Sequence, residues 1–287
     1  MKIVVLGAGG QLGHSMRERA IAQGHTVIGL TRQQADITQP KTLGAALAAA
    51  APDAVFNCAA YARVDEAEDE PVQAFAANAW ALRDLARLSR ALSFTLVHYS
   101  TDFVFEGCEP IPRIETDATN PRGVYATSKL LGERFAAEAP DHYILRVESL
   151  FGGPAGKSSV DALLNGLIAG REVKPFADRT VSPSFVDDVS DASLKLVTLR
   201  APAGLYHCVN SGHTTWLELT RTAAQLLNRP TSLITPINMV GLSMRVPRPL
   251  LAALSNEKLR SAGVEMPTWQ DALARYITSR EAPRPQA

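Results

Sequence analysis

The run KIVVL, five apolar-rich residues, gives way at once to Gly7-Ala-Gly-Gly-Gln-Leu-Gly13. The run reads as a buried strand, and residues 11 to 23 after it read as a helix closed by Gly24. Glycines therefore stand at positions 7, 10 and 13, at the first strand-to-helix turn. Glycine allows a tight turn and a close approach of backbone amides, and the helix N-terminus favours negative charge. A flexible loop needs glycine too, but not in this register between a strand and a helix. The placement points to a cradle for the pyrophosphate of a dinucleotide.

The elements that follow keep to one rhythm. HTVIGL is a second strand and 41 to 51 a helix. DAVFNCA is a third strand, and 71 to 92 a single long helix with Pro71 in its first turn. FTLVHYS is a fourth strand, 125 to 138 a helix, and HYILRV a fifth strand. Strands alternating with helices imply right-handed crossovers and a parallel sheet. Their nearly unbroken apolar character implies cover on both faces. The expected fold is α/β, a Rossmann-type doubly wound parallel sheet with a smaller mixed α/β C-terminal substrate domain. The first domain is expected to take residues 1–151 and about 177–211, and the second about 152–176 and 212–287. GLYHCV is a late sheet strand. TWLELTRTAAQLL and WQDALARYI are late helices, and EAPRPQA a frayed tail.

Among 287 residues, 29 Lys and Arg balance 29 Asp and Glu, which leaves no electrostatic footprint for nucleic acid. No apolar run is long enough to span a membrane, and MKIVVLG lacks the pattern of a cleavable signal. The expected location is the cytoplasm. Cys58, Cys108 and Cys208 are widely spaced, which suggests small buried hydrophobes rather than disulfides or a zinc site.

A preference between cofactors is read from the tip of the second strand. An acid there binds the ribose 2′-hydroxyl of NAD. This strand ends Gly29-Leu-Thr-Arg32, and Arg32 can pair with a 2′-phosphate. NADPH is therefore favoured, with NADH left open, and Asp36 is placed near the adenine region. Tyr125 and Lys129 in GVYATSK lie one helical turn apart and share a face. A phenol titrates near pH 10, too high for ready acid-base work, and a nearby ammonium lowers it. Thr101 ends the fourth strand, where ligands of open parallel sheets sit.

These stretches occur in one order: GAGGQLG, ADITQP, PDAVFNCAAYARVDEAEDEP, ANAWALRDLA, HYSTDFVFEG, NPRGVYATSKLLGE and ILRVESLFG. Together they resemble the extended short-chain dehydrogenase/reductase family, and within it the dTDP-4-dehydrorhamnose reductase branch. STDFVFEG and the GQLG form of the loop are branch-specific, whereas Tyr-x-x-x-Lys and the glycine triplet are general to the family. The resemblance implies that Tyr125 is the catalytic tyrosine, Lys129 its partner and Thr101 the hydroxyl on the substrate carbonyl. It implies cofactor contacts at Gly7, Gly10, Gln11, Leu12 and Gly13, at Ala59, Ala60 and Tyr61, and at Asn78. The reaction implied is hydride transfer to C4 of a nucleotide-linked 4-keto-6-deoxy sugar, with a proton from Tyr125.

Departures fall on the sugar side. Ser149 stands where the branch commonly has tryptophan, and Phe103 replaces a tyrosine. Thr101, Asp102, Phe103 and Ser149 are candidate substrate contacts. Arg179 and Arg248, with Arg245, are candidates for the diphosphate, although each alone also reads as a surface arginine. Some members of the branch hold magnesium at a dimer contact. For Asp187, Asp188 and Asp191, acids placed by a helix dipole are the simpler reading, so magnesium and a homodimer stay open. VDEAEDEP reads as a solvated face and His98 as a packed strand residue. A nucleotide-sugar epimerase or dehydratase, and a non-catalytic regulatory subunit like that of methionine adenosyltransferase, are the alternative readings.

Overall fold

A computed structural model describes residues 1–108, 111–154, 156 and 158–281. The expected frayed tail lies, after Glu281, outside the described residues. The first half carries β1 (Lys2–Leu6), α1 (Gln11–Ala22), β2 (Thr26–Leu30), α2 (Pro40–Ala50), β3 (Ala54–Asn57), α3 (Pro71–Phe75), α4 (Ala81–Leu92), β4 (Thr95–Thr101), α5 (Gly123–Ala136) and β5 (His142–Val147). The second half carries β6 (Leu150–Phe151), α6 (Ser159–Ile168), β7 (Thr180–Val181), β8 (Ser184–Phe185), α7 (Val186–Leu199), β9 (Gly204–His207), β10 (Thr214–Thr215), α8 (Trp216–Leu226), α9 (Glu257–Ser261) and α10 (Trp269–Glu281).

Six strands form one sheet in the order β2-β1-β3-β4-β5-β9, and every neighbour pair in it is parallel. Successive side chains of a strand point to opposite faces. Ile3 and Val5 thus join a core with Phe56, Val97 and Leu145. Val4 and Leu6 join another with Val55, Leu96 and Ile144. This is the doubly wound sheet expected, a Rossmann-type α/β fold. The chain runs from β1 outward to β2 and then back across to β3. That reversal opens a crevice at the carboxyl ends of β1 and β3.

α7 seals one face of the sheet against α1. Ser15 donates to Asp187 at 2.6 Å, and Arg19 forms a bidentate pair with Asp191. Asp188 accepts from Asn210 and Arg275, both at 2.7 Å. Asp187 and Asp188 do lie in the first turn of α7, as the dipole reading requires, but all three acids also tie that helix to its neighbours.

Four expectations need correction. Residues 71 to 92 are not one regular helix: a π-helical turn, Ala76–Trp80, separates α3 from α4. The wider turn carries Asn78, 1% exposed, into the interior. α5 starts at Gly123 rather than Tyr125, because Glu68 accepts the Val124 N–H at 2.7 Å. A carboxylate there satisfies a free amide and suits the dipole. The run VDEAEDEP is accordingly no free solvated face: Asp65, Glu68, Asp69 and Glu70 all hold partners. Cys208 is buried, but Cys108 is exposed. Among the described residues no helix is long and apolar enough to cross a membrane.

Candidate active site

A cleft of about 730 Å³ lies at the reversal point. Its walls are Gly7, Gly9 and Gly10 after β1, Thr31 and Arg32 after β2, and Cys58 to Arg63 after β3. Gly7 has φ +72, and a methyl group there meets the Ala59 nitrogen at 2.8 Å. A methyl on Gly13 runs into the Gly7 carbonyl oxygen. α1 follows Gly10, with no side-chain cap and no acid in its first turn. Its end is thus left for an anion.

The predicted loop residues divide by role. Gly7 and Gly10 line the cleft, and so does Gly9, which the glycine spacing did not single out. Leu12 belongs to the core, and Gly13 permits the close packing of the turn. The Gln11 side chain donates to the Gly152 carbonyl at 2.9 Å, which ties the loop to the segment after β6.

Arg32, 86% exposed along its side chain, meets Asp36 at 3.2 Å, and both reach the cleft. Burial acts to raise the Asp36 carboxyl, but hydrogen bonds from Thr38 and Arg32 hold it below its ordinary value. Ala59, Ala60 and Tyr61 lie along the opposite wall. Asn78 does not reach out to that wall. Its amide oxygen accepts the Tyr61 N–H at 2.9 Å, and its two N–H donors go to the Tyr61 carbonyl and to Ser128, both at 3.0 Å. All its donors are spent, so it braces the β3 loop against α5.

Thr101, Tyr125 and Lys129 lie one strand further along, around the end of β4. α5 is held in place there by a buried bidentate pair between Arg146 on β5 and Glu133. The Phe103 and Tyr125 rings meet edge to face at 5.7 Å. Lys129, 3% exposed, donates its ammonium to the Tyr99 carbonyl. Burial lowers Lys129 to about 8, against the opposing charge of Glu133. Tyr125 departs from expectation. Burial, assisted by the Asp102 charge, pushes its phenol up to about 12 rather than down, because the ammonium is turned to the strand backbone. A phenol in that state keeps its proton at neutral pH. His98 is indeed a packed strand residue, 1% exposed and pushed well down by burial.

Beyond Tyr125 the site is built from charge. Arg248 pairs with Asp65 at 2.6 Å and covers the Phe103 ring at 5.7 Å. Arg245 binds both oxygens of Asp69, and Arg179 donates to the Pro249 carbonyl at 3.2 Å. Ser149 is half-buried with φ +44, a backbone state uncommon outside glycine. Asp102 is 3% exposed, and Glu148, which the sequence reading passed over, is 2% exposed. A lone acid at the end of the apolar run ILRV was the available signal.

The family model described as "RmlD substrate binding domain" matches residues 1–281. The chain is 36% identical over 278 residues to a dTDP-4-dehydrorhamnose reductase of Streptomyces griseus, covering 94% of this chain and 91% of that protein. It is 34% identical over 276 residues to one of Mycolicibacterium smegmatis, covering 95% and 84%. A solved dTDP-4-dehydrorhamnose reductase from Bacillus anthracis, in complex with NADP, superposes with a TM-score of 0.91. The two share 28% identity, over 97% of this chain and 99% of that one.

Proposed function

From the premise that this chain belongs to the RmlD substrate binding domain family, we propose that it is an NADPH-dependent reductase of a nucleotide-linked 4-keto-6-deoxy sugar. dTDP-4-dehydrorhamnose is the first candidate substrate, and the product is then dTDP-L-rhamnose. The observation that carries the reading is the glycine-walled cleft at the β1/β3 reversal, with Thr101, Tyr125 and Lys129 at the next strand end.

The residues present fit the cofactor. The Gly7–Gly10 turn and the open N-terminus of α1 suit the pyrophosphate, and exposed Arg32 suits a 2′-phosphate. A reduced nicotinamide bound here supplies the hydride. Tyr125, kept neutral by burial, gives its proton to the carbonyl oxygen as that oxygen gains charge. The Thr101 hydroxyl hydrogen-bonds the same oxygen. Lys129, one helical turn from Tyr125, would offset the phenolate that remains and would hold the nicotinamide ribose. We assign the diphosphate to Arg179 and Arg248, with Arg245 at the rim. We place substrate binding in residues 152–176 and 212–287, to which the segment around Arg179 is joined by the β7–β10 pairing. Phe103 and Ser149 face the sugar from the strand ends, with Asp102 buried behind Thr101.

The test is NADPH oxidation on mixing the protein with dTDP-4-dehydrorhamnose. Steady oxidation that vanishes in Tyr125→Phe supports both reaction and substrate. NADPH binding without oxidation of this or related ketosugars overturns the proposal.

A further inference from the structure

β4 and β5 are adjacent and parallel, with Thr101 opposite Val147. The next residue on each strand, Asp102 and Glu148, therefore leaves the sheet at the same edge, side by side. Both side chains are buried. Asp102 Oδ1 accepts the Thr101 hydroxyl at 2.9 Å, and Glu148 Oε2 accepts the Ser182 N–H at 2.6 Å. The other oxygen of each, Asp102 Oδ2 and Glu148 Oε1, is buried with no hydrogen-bond partner. A buried carboxylate oxygen without a donor is costly. The cation acting on both groups is Arg179. Two buried carboxylates against one guanidinium leave a negative charge uncompensated.

One proton resolves both problems. Set between the two orphan oxygens, it makes one group an acid that donates to the other, and it removes the excess charge. We propose that Asp102 and Glu148 share a single proton beneath Thr101 and Tyr125, as positioning residues, and that loss of this proton switches reduction off at alkaline pH. The second half of this statement rests on the reductase reading of the site.

The consequence for chemistry follows from the contacts. With the proton in place the pair carries one charge, spread over two groups and faced by Arg179. The hold of Asp102 on the Thr101 hydrogen is then weak, and Thr101 can turn to the ketone oxygen. Without the proton, a full carboxylate grips that hydrogen. A second negative charge then faces the oxygen that must itself gain charge. Burial pushes Asp102 up to about 6 and Glu148 well above the usual carboxylate range, in agreement with a retained proton. Among the described residues, Arg179 before β7 and Tyr125 on α5 are the other charged or titratable groups acting on the pair. Arg248 covers the adjoining Phe103 ring, and Lys129 follows one turn after Tyr125.

Infrared difference titration of the cofactor-free protein tests the shared proton without any substrate. The wild type is expected to show a buried protonated-carboxyl band that persists through neutral pH. Glu148→Gln loses it, because its amide now donates to an ionised Asp102. In Asp102→Asn the band is expected to titrate at lower pH, because Glu148 loses its like-charged neighbour while burial still holds it up. A wild type with no such band overturns the proposal. So does a band whose midpoint is unmoved in Asp102→Asn, since Glu148 then holds its proton without Asp102. The second arm follows turnover against pH. The alkaline fall of the wild type, about tenfold per pH unit beyond the titration of one essential proton, is expected in Glu148→Gln to lose the step due to the pair and to keep only that of Lys129, whatever its absolute rate. An unchanged alkaline fall overturns the switch. A chain that turns over no ketosugar yet shows the band, its loss in Glu148→Gln and its shift in Asp102→Asn fails as a reductase and keeps its shared proton.

Discussion

The two sides of Tyr125 are built on opposite principles. The side proposed for the cofactor is walled mainly by backbone: three glycines, an uncapped helix end and the alanines after β3, with the exposed Arg32 and Arg63 only at its edge. The side proposed for the sugar is walled mainly by charge paired within the protein, as in Arg248 with Asp65 and Arg245 with Asp69. A backbone cradle has its shape before the ligand arrives. Paired arginines must give up a carboxylate to take a phosphate. The first side tolerates little steric change, and the second should respond to charge and salt.

The largest effect that can break this comparison lies at the boundary. Tyr125→Phe should lower kcat by about 10²-fold or more, with NADPH affinity nearly unchanged in a fluorescence titration. Unchanged turnover would remove Tyr125 from the mechanism. Next comes the cradle itself. Gly13→Ala forces a methyl against the Gly7 carbonyl, a backbone atom with nowhere to move. It should cost about 1–3 kcal/mol of stability by overpacking and weaken NADPH together with NADH. If thermal melts and cofactor titrations match the wild type, the turn is not rigid and the contrast fails.

The charged positions should give smaller and more selective losses. Arg248→Ala is expected to raise KM for the nucleotide sugar about tenfold, the scale of one charge-assisted hydrogen bond, while kcat changes little. A fall in kcat at constant KM would instead place Arg248 in the chemistry. Arg32→Ala should weaken NADPH by about tenfold on the same scale and leave NADH alone. Equal loss for both would mean that Arg32 does not meet the 2′-phosphate. The smallest effect is expected for Arg245→Gln, whose exposed pair with Asp69 adds little to stability. Its signature is a weaker salt dependence of KM with an unchanged melting temperature.

Much of this site could be read in order along the chain. The glycine loop, Thr101 at a strand end, and Tyr125 with Lys129 on one helix face are local patterns, set by strand and helix periodicity within a few residues. The alternation of apolar runs and helices likewise settled the parallel sheet, because strands covered on both faces must be apolar throughout. What escaped depends on partners distant in sequence. Asn78 looked like a residue on the face of an ordinary helix, and a π turn carries it inward to Tyr61 and Ser128. Asp65 and Asp69 after β3 looked solvated, and their partners lie some 180 residues further on, at Arg248 and Arg245.

The sequence by itself determined the strand-helix alternation behind the sheet, the glycine turn and the placement of Tyr125 and Lys129 on one helix face, since each follows from local spacing. Only the tertiary structure decided the electrical state of that pair. The Tyr125 phenol is raised rather than lowered because burial outweighs its hydrogen bond with Thr101, while the lysine faces the Tyr99 carbonyl. Asp102 and Glu148, 46 positions apart, become neighbours only because β4 and β5 pair in a register that brings Thr101 opposite Val147. Electrostatic interactions depend on distance and burial in space, and neither is written in the order of residues along the chain.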